Sequence, residues 1–362
     1  MANKIINEYI PESVTHPGET LNDILEERGM SQLELAVRTG RPKTKLNEII
    51  KGKISITPET AIQLENVLGI PADFWNTRQK KYDENIAKKE AAVRMAEYTE
   101  WLKSMPVNEM IKLGWLKKFE DKALQTWELL KFFGINSPTE WKNIWGCKEI
   151  AFRQSFCFKK NPEATSVWLR KGELEAQSIK CSSFDKQKFG SVLRSILPMT
   201  NESPEKFESE VIKLCAAAGV AVAFVPPLKG VPVYGITRWL NPDKALLQLS
   251  LRGKYEDIFW FTFFHEAGHI LLHGKKDIFI ESSENKDEKE TEADVFARDC
   301  PIPFENWQNF IQSGNYNTKK AVTDFAEKLG ISPAIVVGRL QHEKFIEFSH
   351  LNDMKRKFDF VE

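Results

Sequence analysis

From residue 16 onward, apolar residues recur three and four positions apart, and glycines cut the pattern into short segments. Pro17 opens a helix that carries Leu21, Ile24 and Leu25 on one face and stops at Gly29. Ser31-Gln-Leu-Glu34 has the form of a capping box, so a second helix starts at Ser31, carries Leu33, Leu35 and Ala36, and turns at Thr39-Gly40. A third places Leu46, Ile49 and Ile50 inward and ends at Gly52; a fourth is capped by Thr57-Pro58-Glu59, carries Ala61, Leu64 and Leu68, and ends at Gly69. A fifth begins between Pro71 and Trp75.

Residues 79–100 are rich in both charges around a few alanines and predict a solvated helix, a linker between domains. Aromatic residues at helical spacing from Trp115 to Trp141 read as core, and 152–207 continues mostly helical. Past Gly219 the period changes. Val220–Val225, Val231–Thr237 and Ala245–Leu251 predict three short strands forming a small antiparallel sheet, with the last as a substrate-holding edge. Next comes Phe259 to Gly274, apolar on every side, as a buried central helix must be. The tail from Lys319 reads as two helices divided by Gly330-Ile-Ser-Pro333 and packed as a cap.

Charge adds little at the scale of the whole chain. The 51 basic and 51 acidic residues cancel, so any case for nucleic acid must be local. Five scattered cysteines without a C-x-x-C suit a reducing compartment. With no signal-peptide core and no apolar run long enough to span a bilayer, the expectation is a cytoplasmic protein without a membrane partner.

The central helix holds His265-Glu266-Ala-Gly-His269. Histidines four apart share a helix face and can aim both imidazoles at one metal, with Glu266 beside them as general base. Buried imidazoles and a carboxylate are costly without such a partner. A catalytic zinc takes three protein ligands. In the downstream segment Glu290 to Arg298, helical spacing turns Ala293, Phe296 and Ala297 inward, and Glu290 and Asp294 share that face while Glu292 points elsewhere. Glu290 is therefore the expected third ligand, and Asp294 the acceptor that fixes a ligand imidazole's tautomer. The acidic run Glu281–Glu288 reads as a solvated face. His273 is too far along the helix, about 12 Å from His265, to share the same ion, and takes the role of a C-terminal histidine at the negative end of the helix dipole. Tyr234, Arg238 and His342 are unranked candidates for stabilising an oxyanion.

Two short helices joined by a glycine turn suggest helix-turn-helix. From Ser31 to Ser55 there are six basic residues against Glu34 and Glu48. Lys43, Thr44 and Asn47, with Lys45 beside them, would face the major groove, and Gln32 would touch phosphate. Spacing alone leaves a small helical interaction module with a basic side equally open. Residues His16-Pro-Gly-Glu-Thr-Leu, Ser31-Gln-Leu-Glu-Leu-Ala, Ile56-Thr-Pro-Glu and Phe74-Trp75 resemble the HigA-type antitoxin branch of the λ-repressor-like (XRE) helix-turn-helix proteins. That resemblance, over 16–75, implies a homodimeric repressor of double-stranded operator DNA, often encoded beside a RelE-like toxin. Arg41-Pro42-Lys43 departs from the family's smaller polar residues, so the operator sequence does not carry over.

The run Phe261 to His273, then Glu290 to Ala297, then Pro303, resembles the ImmA/IrrE family of metallopeptidases over 204–342, with Cys300 where that family tends to have leucine. The resemblance implies a zinc (Zn2+) metallopeptidase that cuts one chosen regulatory protein, such as a repressor. The expected architecture is multidomain: an all-α helix-turn-helix domain over 14–78, a helical middle region over 79–200, a C-terminal α+β zincin-like metallopeptidase domain over 201–345 and a tail over 346–362. Three readings stay open. The chain is a DNA-binding protease-regulator that cleaves a partner or itself, an antitoxin-like repressor whose zincin domain only binds and senses, or a peptidase whose helix-turn-helix contacts protein.

Overall fold

The computed structural model describes residues 14–152, 161–250, 255–274, 279–280 and 288–358. The chain is mostly helical and falls into two compact units. One runs to Thr99 and takes in Glu120–Thr126, and the other holds Glu100–Phe119 and the chain from Trp127 onward.

In the first unit α1 (Pro17–Glu27), α2 (Gln32–Thr39), α3 (Lys43–Ile50) and α4 (Pro58–Leu68) form where the caps require. His16 caps α1 through its ring, Ser31 caps α2 by accepting from the Glu34 N–H at 3.1 Å, and Thr57 caps α4. Only half of the predicted capping box is made, because Glu34 turns to Arg38 instead. Gly40 takes φ 69°, which suits glycine, and turns the chain from α2 towards α3. Leu21, Leu25, Leu35, Leu46, Ile49, Ala61, Leu64 and Trp75 close one core. Leu33, expected inward, is exposed, since the buried stripe of α2 runs through Leu35, Ala36 and Thr39. The fifth helix, α5 (Ala72–Glu97), passes without a break through residues 78 and 79. The linker expected there is the continuing body of a helix that starts in the first core.

The second unit takes in α6 (Thr99–Ser104) from Glu100, α7 (Val107–Lys112), α8 (Lys122–Phe133) from Trp127, and α9 (Pro138–Phe152). Then come α10 (Pro162–Ser178), α11 (Lys186–Ile196) and α12 (Pro204–Ala217). Residues 153–160 of the stretch read as helical lie outside the described residues. The strands β1 (Val220–Phe224), β2 (Gly235–Asn241), β3 (Lys244–Leu249) and β4 (Phe279–Ile280) form a sheet of order β1-β3-β2-β4. The expectation of an antiparallel sheet is corrected here: β1 pairs with β3 in parallel, and β2 pairs antiparallel with β3 and β4. The guess that Ala245–Leu251 is the edge is also overturned, because β3 is bonded on both sides. The second strand starts at Gly235 rather than Val231. Pro232 has no N–H for a ladder, so the chain joins the sheet only beyond it.

Alternation along the strands sends Ala221, Ala223 and Leu246 into a core with Trp141, Val167 and Trp168 of α9 and α10. Val220, Val222, Ala245, Leu247 and Leu249 face the other way, onto α11, α12 and α13 (Glu256–Leu272). The helical middle region thus contributes one layer of the α+β unit. α14 (Glu288–Asp299) packs against α13, and α15 (Phe304–Gln312), α16 (Lys319–Leu329) and α17 (Pro333–His342) build a separate apolar cluster beyond it. The chain then returns to the start of α13. Lys355 pairs with Asp257 at 2.6 Å, Arg356 binds Glu256 and the Thr200 carbonyl, and Phe358 packs on Phe207 and Phe259. The segment read as a tail thus fastens the start of α13. The acidic run Glu281–Glu288 lies outside the described residues up to 287. Among the described residues no helix is long and apolar enough to cross a membrane.

Candidate metal centre and candidate nucleic-acid interface

His265, Glu266 and His269 are each at most 1% exposed, inside a helix that is buried along nearly its whole length. Their spacing does what four-residue spacing must: the two Nε2 atoms stand 3.0 Å apart. Glu290 comes across from the first turn of α14. Its Oε2 lies 3.2 Å from His265 Nε2, and its Oε1 3.6 Å from His269 Nε2. Ala293 and Ala297, both buried, seat that helix against α13. A tetrahedral zinc with bonds of about 2.0 Å separates its donors by about 3.3 Å, so all three distances fit one ion. Among the described residues this is the one group of three or more such side chains close enough to hold a metal. Burial lowers the His269 pKa against the opposing pull of Glu290, which keeps the ring in the form that donates to a metal. At Glu290 burial pushes upward, but hydrogen bonds to His265 and His269 prevail and hold the carboxyl at about 2.

The atoms behind the ligands set their orientation. His265 Nδ1 lies 3.0 Å from Asp294 Oδ1, the contact that turns Nε2 towards Glu290 and His269. His269 has a longer support. Its Nδ1 is 2.9 Å from His273 Nδ1, and His273 Nε2 is 3.1 Å from Glu292 Oε2. If His269 Nδ1–H donates, His273 must accept there and carry its proton on Nε2, facing the carboxylate. His273 and Glu292 stay outside the donor group, as spacing predicts, but their contacts with His269 and with each other were not foreseen from it. α13 ends at Leu272, and the extended backbone of His273 swings its ring back towards His269. Replacing His273 with alanine is expected to weaken zinc binding by about 10- to 100-fold, the usual cost of losing such a support. Competition with a chelating dye measures this, and unchanged affinity would show that His273 does not orient His269.

Glu266 does not join the donor group. It turns towards the sheet, where β2 passes close to α13. A Cβ built on Gly235 would lie 2.8 Å from Glu266 Cγ and 2.9 Å from its Oε1, so only glycine leaves room for that carboxylate. Thr237, two residues on, donates to the Glu266 carbonyl at 3.0 Å. The oxyanion candidates separate. Arg238 points to the opposite face of the sheet, onto Glu173 at 2.6 Å and the Leu169 carbonyl at 2.9 Å, and is removed from consideration. Tyr234 and His342 both line a cavity beside α13. Cys300 is packed against the core, and burial pushes its thiol up to about 11.

On the first unit, Lys43, Thr44 and Lys45 are exposed at the start of α3, and Gln32 and Asn47 are half-buried. The basic excess is smaller than the sequence count. Arg38 pairs with Glu34 at 2.7 Å, Lys45 with Glu48 at 2.8 Å and Arg41 with Glu59 at 3.4 Å. Lys43, Lys51 and Lys53 make no such pair among the described residues, which leaves them as the free cations around α3.

The helix-turn-helix family model matches residues 21–75, and the model of the IrrE N-terminal-like domain, of the Peptidase M78 family, matches residues 253–341. Virulence-associated protein I of Dichelobacter nodosus is 33% identical over 76 residues, which is 21% of this chain and 70% of that protein. Among solved structures, an addiction module antidote protein of the HigA family from Coxiella burnetii is 30% identical, with a TM-score of 0.22, over 23% of this chain and 92% of its own. PA4674 of Pseudomonas aeruginosa, solved with its operator DNA, is 28% identical, with a TM-score of 0.22, over 23% of this chain and 91% of its own. The chain belongs to the helix-turn-helix family through its N-terminal domain, and it carries an IrrE N-terminal-like domain of the Peptidase M78 family in its C-terminal half.

Proposed function

We propose that this chain is an operator-binding regulator, acting as a homodimer, whose second unit is a zinc-dependent peptidase that cleaves a regulatory protein or the chain itself. The observation that carries the reading is the meeting of His265, His269 and Glu290 around one point, with Glu266 buried at its side. These three side chains would hold the ion. When bound, zinc supplies Lewis acidity: it polarises a carbonyl and brings the acidity of a water to about pH 7. The Glu266 carboxylate takes the proton as the water attacks the peptide carbonyl, then hands it to the departing amine. Asp294, and His273 with Glu292, keep the two imidazoles in register.

The test is a map of new protein N-termini in cells carrying the wild-type chain or Glu266→Gln. Termini that depend on Glu266 identify the substrate. Their absence, in a chain shown to hold zinc, would retire the peptidase reading and favour a sensing domain.

The DNA reading rests on the fold of α2 and α3 and on the free cations at α3. Lys43→Ala is expected to weaken binding to the DNA upstream of its own gene and to reduce the dependence on salt by about one charge, whereas Asn47→Ala costs about 1–3 kcal/mol at one base position. Lys45→Ala should matter less, because Glu48 already engages that ammonium. Fluorescence anisotropy across a salt series separates these outcomes, and equal effects from all three would argue for protein contact instead.

A further inference from the structure

A cavity of about 360 Å³ lies between the N-terminal half of α13, the end of α14 and α17. It is at the small end of the usual range of ligand pockets, roughly 300–1,000 Å³. Its wall is mainly aromatic and aliphatic, with Ile258, Phe261, Phe264, Ile302 and Ile335. His342 and Phe348, both exposed, mark where it meets solvent. Phe348 is 68% exposed, so apolar surface at the rim is left for an occupant to cover.

The charged side chains of that wall leave one cation over. Lys355 is spent on Asp257 at 2.6 Å and on Gln341 Oε1 at 2.6 Å. Arg339 is held by Glu343 at 2.8 Å and Asp299 at 3.2 Å. The Arg298 side chain has no ion pair and no hydrogen bond among the described residues. Only its Nε is sealed off, and the two terminal nitrogens keep open surface on a residue that lines the cavity. Its backbone is fixed, since its carbonyl accepts from Arg339 Nη1 at 3.0 Å. The negative end of α14 favours a cation in the last turn, but it favours equally one standing free in water. It does not call for one set in an apolar wall, where an unpaired charge is costly. His342, whose ring lies 6.4 Å from that of Phe261, adds ring nitrogens without a hydrogen bond among the described residues.

We infer that this cavity binds a small apolar carboxylate, its body against the aromatic and aliphatic wall and its charge on Arg298. A guanidinium fork matches a carboxylate with two parallel hydrogen bonds, and the wall removes the apolar body from water. A neutral apolar molecule would leave the guanidinium unpaired, a cation would be repelled by it, and an inorganic anion would leave the wall unfilled. No residue of the metal centre takes part, so the inference does not rest on the peptidase reading.

The test is calorimetric titration of the full-length protein with octanoate, 1-octanol, octylammonium and butanoate. Octanoate should bind about tenfold more tightly than octanol, which has the same body without the charge, and octylammonium should bind most weakly. Butanoate, shorter by four methylenes, should bind about tenfold or more weakly than octanoate. A further titration with 2-naphthoate tells an aromatic body from an aliphatic one by which carboxylate binds more tightly. Arg298→Gln breaks no bond of the side chain, and should bring octanoate down to the level of octanol while octanol itself is unchanged. Arg298→Lys should restore part of the preference, as a point charge without the fork does. Phe348→Ala, at an exposed position, should weaken octanoate and octanol alike. Should a variant misfold, the four probes on the wild-type chain still decide the matter. Equal binding of octanoate, octanol and octylammonium, an octanoate preference that survives Arg298→Gln, or no binding of any probe overturns the inference.

Discussion

Glu266→Gln should lower peptide hydrolysis by about 100- to 10,000-fold, the loss that follows removal of a positioned general base. The same protein should keep its zinc. Glutamine has the length and shape of glutamate, so it fits the space that Gly235 leaves, and the Thr237 bond to the backbone of residue 266 is untouched. What is lost is an oxygen basic enough to hold a proton. Glu290→Ala provides the contrast. It removes one of three donors, and zinc and hydrolysis should disappear together. Metal analysis of each purified variant beside its cleavage rate gives both readings. If Glu266→Gln keeps a rate within a few-fold of wild type, the base lies elsewhere. If Glu290→Ala holds zinc as tightly as wild type, the ligand set itself is wrong.

The contrast between those variants mirrors what could be read before the fold was known. The spacing of His265 and His269, and the shared face of Glu290 and Asp294, are properties of one helix each, and a helix repeats every 3.6 residues whatever surrounds it. Helix periodicity therefore placed four side chains that the fold then brings together from two elements. It kept His273 out of the donor group but gave no sign of the ring's contact with His269, because a helix end is a tertiary event. Once α13 stops at Leu272, the next ring is freed from the helical register and folds back. The sheet was harder still. Ala245-Leu-Leu-Gln-Leu249 lacks alternation, the mark of a strand buried on both faces, and that was a legible sign of an inner position. Parallel pairing of β1 with β3 left no local trace, since it depends on β2 entering from the far side. The cavity beside α13 is assembled from Tyr234, α13, α14 with the residues after it, α17 and the returning C-terminal segment, pieces apart in sequence, and no pattern in any of them marks it. In the first unit the caps and most of the apolar stripes were sufficient, because the helical period sets each buried face whichever helix it meets.

Gly18→Ala should be the most damaging small substitution in that first unit, at about 3 kcal/mol, the upper part of the usual range for overpacking. Gly18 lies in the first turn of α1, where residues on both sides are fixed. Its N–H donates to His16 Nδ1 at 2.9 Å, and burial lowers the pKa of that ring against the pull of Asp83 and Glu19, which keeps the nitrogen able to accept. A Cβ at this position would lie 1.9 Å from the Ile49 carbonyl oxygen and 2.8 Å from its carbon. Those are backbone atoms of α3, and no rotamer change can clear them. Relief requires α1 and α3 to part, and that opens the contact among Leu21, Leu25, Leu46 and Ile49. The helix that presents Lys43, Thr44 and Asn47 would shift with it, so DNA binding should fall along with stability. Urea unfolding, read beside DNA anisotropy, distinguishes this from Lys43→Ala, which should weaken binding while leaving the unfolding midpoint in place. A Gly18→Ala chain with wild-type stability would mean that α1 and α3 do not approach as closely as the structure places them.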